Sequence, residues 1–248
     1  MIQTFHRMSN ASPEFSAKTP VDLFPMRRPL VLCPRPIEAE AFTRFGKARM
    51  MQIGHGAASM ERAFLRLRGD DRPSFVVLFG LAEVLDSELS RGSAFLIHSV
   101  CTAADTNAPT LYAPALHSRC LPTPPFANGV ECAALPESRE ARIALALQTH
   151  AQLVDRESYT FAQSALRAEL PWAIVRAIRP CASDARSCEV RSSIDGHRNT
   201  FVRGLLNAIV RQPRRFRQRL ALRRAANHAL REGAFLADAL CCAQESAS

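Results

Sequence analysis

Apolar positions along the chain fall into short continuous runs, separated by stretches whose apolar residues recur at helical spacing. RRPLVLC (27–33), SFVVLFG (74–80), SAFLIHSV (93–100), GVECAAL (129–135), LVD (153–155) and PWAIVRAI (171–178) read as strands. Runs of this length, bounded by Pro, Gly or charge, mark strands covered on both faces. Between them, IEAEAFTRF after the first strand, ASMERAFLRL after MMQI, SREARIALALQTH (138–150) and RESYTFAQSALRAEL (156–170) carry the helical pattern. Strands alternating with helices predict an α/β domain around a central, largely parallel or mixed sheet. The stretch from Cys101 to Asn128, rich in Pro, Ala and Thr, reads as irregular.

From Thr200 the pattern is helical again. Phe201, Leu205 and Ile209 line one face with Val202, Leu206 and Val210 beside them; Pro213 interrupts, and RRFRQRLALRRAANHALREGAFLADAL forms a second helix. We therefore divide the chain into an N-terminal tail (1–26), one domain (27–240) and a C-terminal tail (241–248). In open α/β sheets ligands gather at the carboxyl ends of strands. GHG after MMQI, GLAE after FVVLF, DRES after LV and RPCASD after IVRAI all stand at such ends.

Composition narrows the class without naming a chemistry. At 248 residues and 47% apolar the chain has ample material for one core, and no apolar run reaches the roughly 18 residues of a membrane span. The first 26 residues lack the basic start and apolar stretch of a secretory signal, which makes the cytoplasm the expected location. The eight cysteines show no C-x-x-C pair and no Cys/His ligand spacing, so zinc and a disulfide framework are not expected. The net charge of +9 is almost all arginine, since Lys18 and Lys47 are the only lysines. Much of it lies in the last fifty residues, at Arg211, Arg214, Arg215, Arg217, Arg219, Arg223, Arg224 and Arg231. Such a series reads as a solvated helix face, with an anionic membrane surface as the alternative partner. Nucleic acid is disfavoured because base-stacking aromatics there are few, Phe216 and Phe235 being the exceptions.

Several motifs carry candidate chemistry. Gly54-His55-Gly56, between a strand and a helix, is a turn that could hold phosphate through its amides. Glu38 and Glu40 open a helix, where acidic residues are favoured by the dipole whether or not they do anything else. Asp155, Arg156 and Glu157 stand in a row at a strand end, and His55, His98 and His150 have no ligand-like neighbours.

In sequence order these pieces resemble the nucleoside phosphorylase and nucleosidase superfamily. GLAEVLDSELSRGSAFLI is similar to its Gly-Leu-Ala-Gly-Gly-Leu…Gly-Asp segment, LVDRES to its Val-Asp-Met-Glu-Ser helix start, and PWAIVRAI to the strand that normally ends in Ser-Asp. GHGAASMERAF, and Asp195-Gly196 followed by a helix, RQPRRF and an Ala-rich helix, resemble most closely the hopanoid-associated, adenosylhopane nucleosidase-like branch. The resemblance spans Pro29 to Leu240. It implies a three-layer α/β/α fold with a central mixed sheet plus C-terminal helices, and cleavage of the N-glycosidic bond of a purine nucleoside or nucleoside-linked lipid.

That bond breaks through a cationic sugar, so carboxylates under the ribose and a general base for the attacking water are the chemical requirements. The resemblance gives Glu157 the ribose hydroxyls and Glu38 the role of base, with Glu40 as the competing alignment. It gives Gly80 and Ala82 a backbone that approaches the ligand. No cofactor is implied; inorganic phosphate as co-substrate stands beside water as nucleophile. Homo-oligomers are common in the family, and attachment at the periphery of the inner membrane is a further expectation.

Three departures meet in one pocket. Glu83-Val84 stands where the family has Gly-Gly, Arg156 where it has Met, and Arg179-Pro180 where it has Ser-Asp. Asp184 is then the candidate for the leaving-group acid, and Arg156 a candidate partner for Glu157. Two readings follow from the resemblance: a working nucleosidase, or a relative that binds a nucleoside-like ligand without turning it over.

Overall fold

The structure, a computed structural model, describes residues 28–67, 72–85, 89, 93–114, 125–178 and 213–246, with side chains of the last segment from residue 221. Its strands are β1 (Leu30–Cys33), β2 (Arg49–Gln52), β3 (Val76–Val84), β4 (Ala94–Thr102), β5 (Leu111–Tyr112), β6 (Phe126–Glu131), β7 (Leu153–Asp155) and β8 (Trp172–Ile178). The helices are α1 (Pro36–Phe45), α2 (Ala57–Arg66), α3 (Arg139–Thr149), α4 (Ser158–Arg167) and α5 (Pro213–Glu245). All eight strands share one mixed sheet, as the α/β reading expected.

β1 lies between β2 and β3, parallel to both. Beyond β3 the pairing runs in a circuit. β3 pairs parallel with β8, β8 antiparallel with β4, β4 parallel with β6, β6 parallel with β7, and β7 antiparallel with the end of β3. The sheet thus curls back on itself, and the carboxyl ends of β3, β7 and β8 converge.

One apolar cluster, with Leu32, Leu78, Ile174, Met60 and Phe161, lies under α2 and α4. The other, with Val31, Val77, Phe79, Val175, Ala234 and Ala237, lies under α1 and α5. Consecutive strand residues alternate between the two clusters, which is why the strands read as continuous apolar runs. α5 approaches closely because Gly233 has no side chain: a Cβ there would sit 2.7 Å from Cε2 of Phe79.

Several boundaries differ from the sequence reading, chiefly for tertiary reasons. β3 does not stop at Gly80 but runs to Val84, because Gly80–Ala82 continue their register with Arg176–Ile178 and Glu83 and Val84 then pair with β7. β6 covers 126–131 rather than 129–135, held by β4, and β5 is a short edge strand inside the stretch read as irregular. α4 begins at Ser158, two residues late, because Asp155 accepts hydrogen bonds from the amides of Glu157 (2.9 Å) and Ser158 (2.8 Å) and ends the strand in an Asx turn. α5 runs past Leu240 to Glu245 with Cys241 buried, so helix continues through the boundary drawn at residue 240. The 1–26 tail, the helix expected over 201–210 and the RPCASD loop lie outside the described residues.

The five described cysteines, Cys33, Cys101, Cys132, Cys241 and Cys242, are all free thiols. Among the described residues no helix is long and apolar enough to cross a membrane.

Candidate active site

The carboxyl ends of β3, β7 and β8 and the first turns of α1 and α4 bring five charged or hydroxyl groups together in the protein interior. At their centre is Arg176, on β8, 1% exposed. Its Nε lies 2.9 Å from Oδ2 of Asp155. Nε and Nη2 donate to Oγ of Ser158 at 3.2 and 3.0 Å, and Ser158 in turn donates its hydroxyl proton to Asp155. Nη2 also lies 3.8 Å from Oε2 of Glu157. A guanidinium with this little exposure is tolerable only when its charge and its N–H groups are met.

Glu38 occupies the other side of Arg176. Pro36 starts α1 with its φ preset, and Glu38, in the first turn, reaches back so that Oε2 accepts from the Arg35 amide at 2.8 Å. Oε1 accepts from the Leu81 amide at 2.8 Å, tying the helix start to β3. Glu38 is 1% exposed, and burial pushes its pKa up to about 7, against the lowering pull of the Leu81 amide, Arg176 and Arg35. Gly80 makes this approach possible, since a Cβ there would stand 2.6 Å from Nη1 of Arg176 and 3.0 Å from Oε1 of Glu38. The space expected to admit a ligand beside Gly80 is therefore taken by the protein's own arginine and glutamate.

Glu157 is buried as well, and its Oε1 accepts from the Gly56 amide at 3.1 Å. Gly54 and Gly56 have φ of +88° and +87°, a backbone that L side chains rarely adopt, so glycine is required at both. The Gly54–Gly56 turn, expected to offer its amides to phosphate, gives that of Gly56 to the protein's own carboxylate. Glu131 stands nearby, held by the Thr160 hydroxyl at 2.7 Å and amide at 2.8 Å; burial raises its pKa, the Thr160 bonds pull it down, and the charges of Asp155 and Glu157 add to the rise.

A cleft opens beside this cluster, with Leu81, Ala82, Val154, Asp155, Arg156 and Glu157 among its lining. Glu38 is not in that lining; it lies behind it. The structure thus brings Glu38, Glu157, Gly80, Ala82 and Gly56 to one place, and leaves Glu40 exposed on the outer side of α1. Arg156 does not pair with Glu157: it is exposed, because on a turning backbone Asp155 and Glu157 face inward and the residue between them faces out. Glu83, at the family's Gly-Gly position, is ion-paired with Arg142 at 3.4 Å. Asp184 lies outside the described residues. The residue that sequence reasoning passed over is Arg176. Its signal was present: a lone arginine inside an apolar strand needs buried carboxylates, and LVDRES and IEAE offered them.

No family model matches the chain, and no curated protein does. Solved structures do. A 5'-methylthioadenosine/S-adenosylhomocysteine nucleosidase from Campylobacter jejuni superposes with a TM-score of 0.62 at 8% identity, over 89% of this chain and 99% of that one. Futalosine hydrolase from Helicobacter pylori gives 0.56 at 11% identity, over 68% and 90%. The Colwellia psychrerythraea nucleosidase in complex with adenine gives 0.52 at 11% identity, over 62% and 84%. The α/β fold is the one these nucleosidases share.

Proposed function

We propose that the protein hydrolyses the N-glycosidic bond of a purine nucleoside at the Glu38–Arg176–Glu157 cluster. The observation that carries the reading is a carboxyl with a pKa of about 7, fixed by two backbone amides beside an arginine and a second buried glutamate, on the nucleosidase fold. A base poised near neutral pH can take a proton from water and still return it. An anionic phosphate nucleophile needs no such base, which favours water over phosphate.

In the proposed step Glu38 takes one proton from water as its oxygen bonds to the anomeric carbon. The carbon–nitrogen bond breaks, its electron pair leaves with the base, and the base gains a proton, from solvent or from Asp184. Glu157 holds the ribose hydroxyls while positive charge develops on the sugar, and Arg176 keeps the carboxylates in place. Water, nucleoside, free base and sugar balance without a cofactor. The resemblance to the hopanoid-associated branch makes a nucleoside-linked lipid one substrate to include.

A second reading, a nucleoside binder without turnover, is favoured by one observation. Both oxygens of Glu157 already face partners within the chain, Gly56 and Arg176, and Glu38 is screened from the cleft. Liquid chromatography of free base released from a panel of purine nucleosides, with and without phosphate, separates the two. Hydrolysis predicts phosphate-independent release that rises as pH passes about 7, where Glu38 loses its proton. Glu38→Gln should lower it by about 100- to 10,000-fold, the usual contribution of a general base. Release from no substrate, with a nucleoside still raising the melting temperature, would establish the binder instead.

A further inference from the structure

The charges of α5 are arranged against the helix that carries them. From Pro213 to Arg231 it holds seven arginines and no acidic residue, and its acids, Glu232, Asp238 and Glu245, all follow. A helix dipole favours the reverse order, acids first and bases last, so helix stability does not account for this one. Core packing does not account for it either: burial of α5 begins at Ala229, and the described side chains of 221–228 are exposed or half-buried. Gly233 meets Phe79 midway along β3, and Asp238 binds the amides of Lys47 and Ala48 just before β2. α5 therefore runs against β1, β2 and β3, and its basic part points toward the end of the sheet where the cleft opens.

The outward face sets aromatic rings among these charges. Arg224 and Arg231, both exposed and seven residues apart, share a side of α5 with Phe235, which is 45% exposed. Phe235 packs on Phe45, at the end of α1, with ring centroids 6.0 Å apart. Arg231 lies over both rings, and the exposed Arg44 over Phe45. Among the described residues none of Arg44, Arg223, Arg224 and Arg231 is in an ion pair.

From this arrangement we infer that the protein docks on an anionic lipid surface through the basic part of α5, with Arg44, Phe45 and Phe235 at its margin. Guanidinium groups meet the lipid phosphates, and the rings sit at headgroup depth, the combination of basic and aromatic residues that suits an interface. Charge complementarity selects an anionic partner, and the rings select lipid over nucleic acid. Guanidinium groups already lie over both, so their faces are not offered to bases, which stacking on nucleic acid would require. The convex side of a helix also fits a plane better than a strand. Docking of this kind is independent of the proposed hydrolysis.

The test is flotation of the full chain with phosphatidylcholine vesicles, with or without phosphatidylserine, at salt of about 0.1 M and about 1 M, where the screening length falls from roughly 10 to 3 Å. We expect partitioning onto the anionic vesicles only, reversed at the higher salt. Each arginine near such a surface is worth about fivefold in partitioning. Arg223→Gln/Arg224→Gln/Arg231→Gln should therefore lower it about 100-fold, and Arg223→Gln/Arg224→Gln, which keeps the ring contacts, about 25-fold. Arg62→Gln/Arg66→Gln/Arg167→Gln removes the same charge from exposed positions on α2 and α4 and should leave it nearly unchanged. No binding to anionic vesicles, or equal binding to neutral ones, overturns the inference. So does an equal loss in the α2 and α4 variant, which would mean attraction by net charge alone, and so does tighter binding of duplex DNA than of anionic vesicles at the same salt. If urea shows the triple α5 variant to be unfolded, the double variant decides: full binding overturns the inference, and a loss near 25-fold upholds it.

Discussion

Three acidic side chains meet one arginine in the interior, and their environments set them different tasks. Asp155 is a turn-forming group first: two amides and a hydroxyl use its oxygens, and Arg176 takes the charge that remains. Glu38 has amide donors on both oxygens, yet burial outweighs them and its proton is held to about pH 7. The sign of the consequence for stability follows. The unfolded chain releases this proton near the ordinary 4.5, so between there and about 7 the folded state binds more protons than the unfolded one. Stability from this group is fully present below 4.5 and is lost as pH rises through about 7. A shift of this size corresponds to about 3 kcal/mol. Urea denaturation between about pH 5 and pH 8 should show the wild type losing stability more steeply than Glu38→Gln; parallel curves would mean that the carboxyl ionises freely in the fold.

At the scale of elements, most of the sheet and all five described helices were legible in the chain, because strands covered on both faces must be apolar throughout and helices keep one apolar face. What could not be read is what distant partners decide. Nothing local in GLAEV tells that β8 and β7 will carry β3 to Val84, or that the Gly80 gap is filled by Arg176 from a strand 96 residues on. Of the candidate site, the carboxylates Glu38 and Glu157, each at a helix start, were legible as residues that the structure brings together. Their counter-ion was not, because the neighbouring Arg156 was the obvious candidate and the true partner sat in an apolar run. α5 makes the same point for packing. Gly233 reads as a flaw in a helix, yet it is the point of closest approach to Phe79. Gly233→Val should lower stability in urea by about 1 to 3 kcal/mol through overpacking. A higher midpoint in the variant would mean that the Phe79 ring yields and that the close approach is not needed.

For the molecule as a whole, the arginine excess and the core meet in α5. Arg223 and Arg224 are exposed, Arg231 lies over the rings of Phe45 and Phe235, and the inner face, with Leu230, Ala234 and Leu240, is buried against the sheet and α1. Among the described side chains of α5 the inner apolar stripe is thus committed, and Arg223, Arg224 and Arg231 are exposed on the outside together with Phe235. Asp238 adds a tie at the rim, its Oδ1 accepting from the amides of Lys47 and Ala48 at 2.7 Å each. This arrangement has a consequence for synthesis. A ribosome makes all eight strands before it makes α5, so Val77, Phe79 and Val175 emerge without their cover and wait for it. A chain halted at Gln212 should bind a hydrophobic dye and aggregate where the full chain does neither, since uncovered strand faces associate with one another. A dye-silent, monomeric truncation would show that the sheet needs no such cover. The nascent protein is most exposed to chaperones and to its own copies in the interval before its most basic helix arrives.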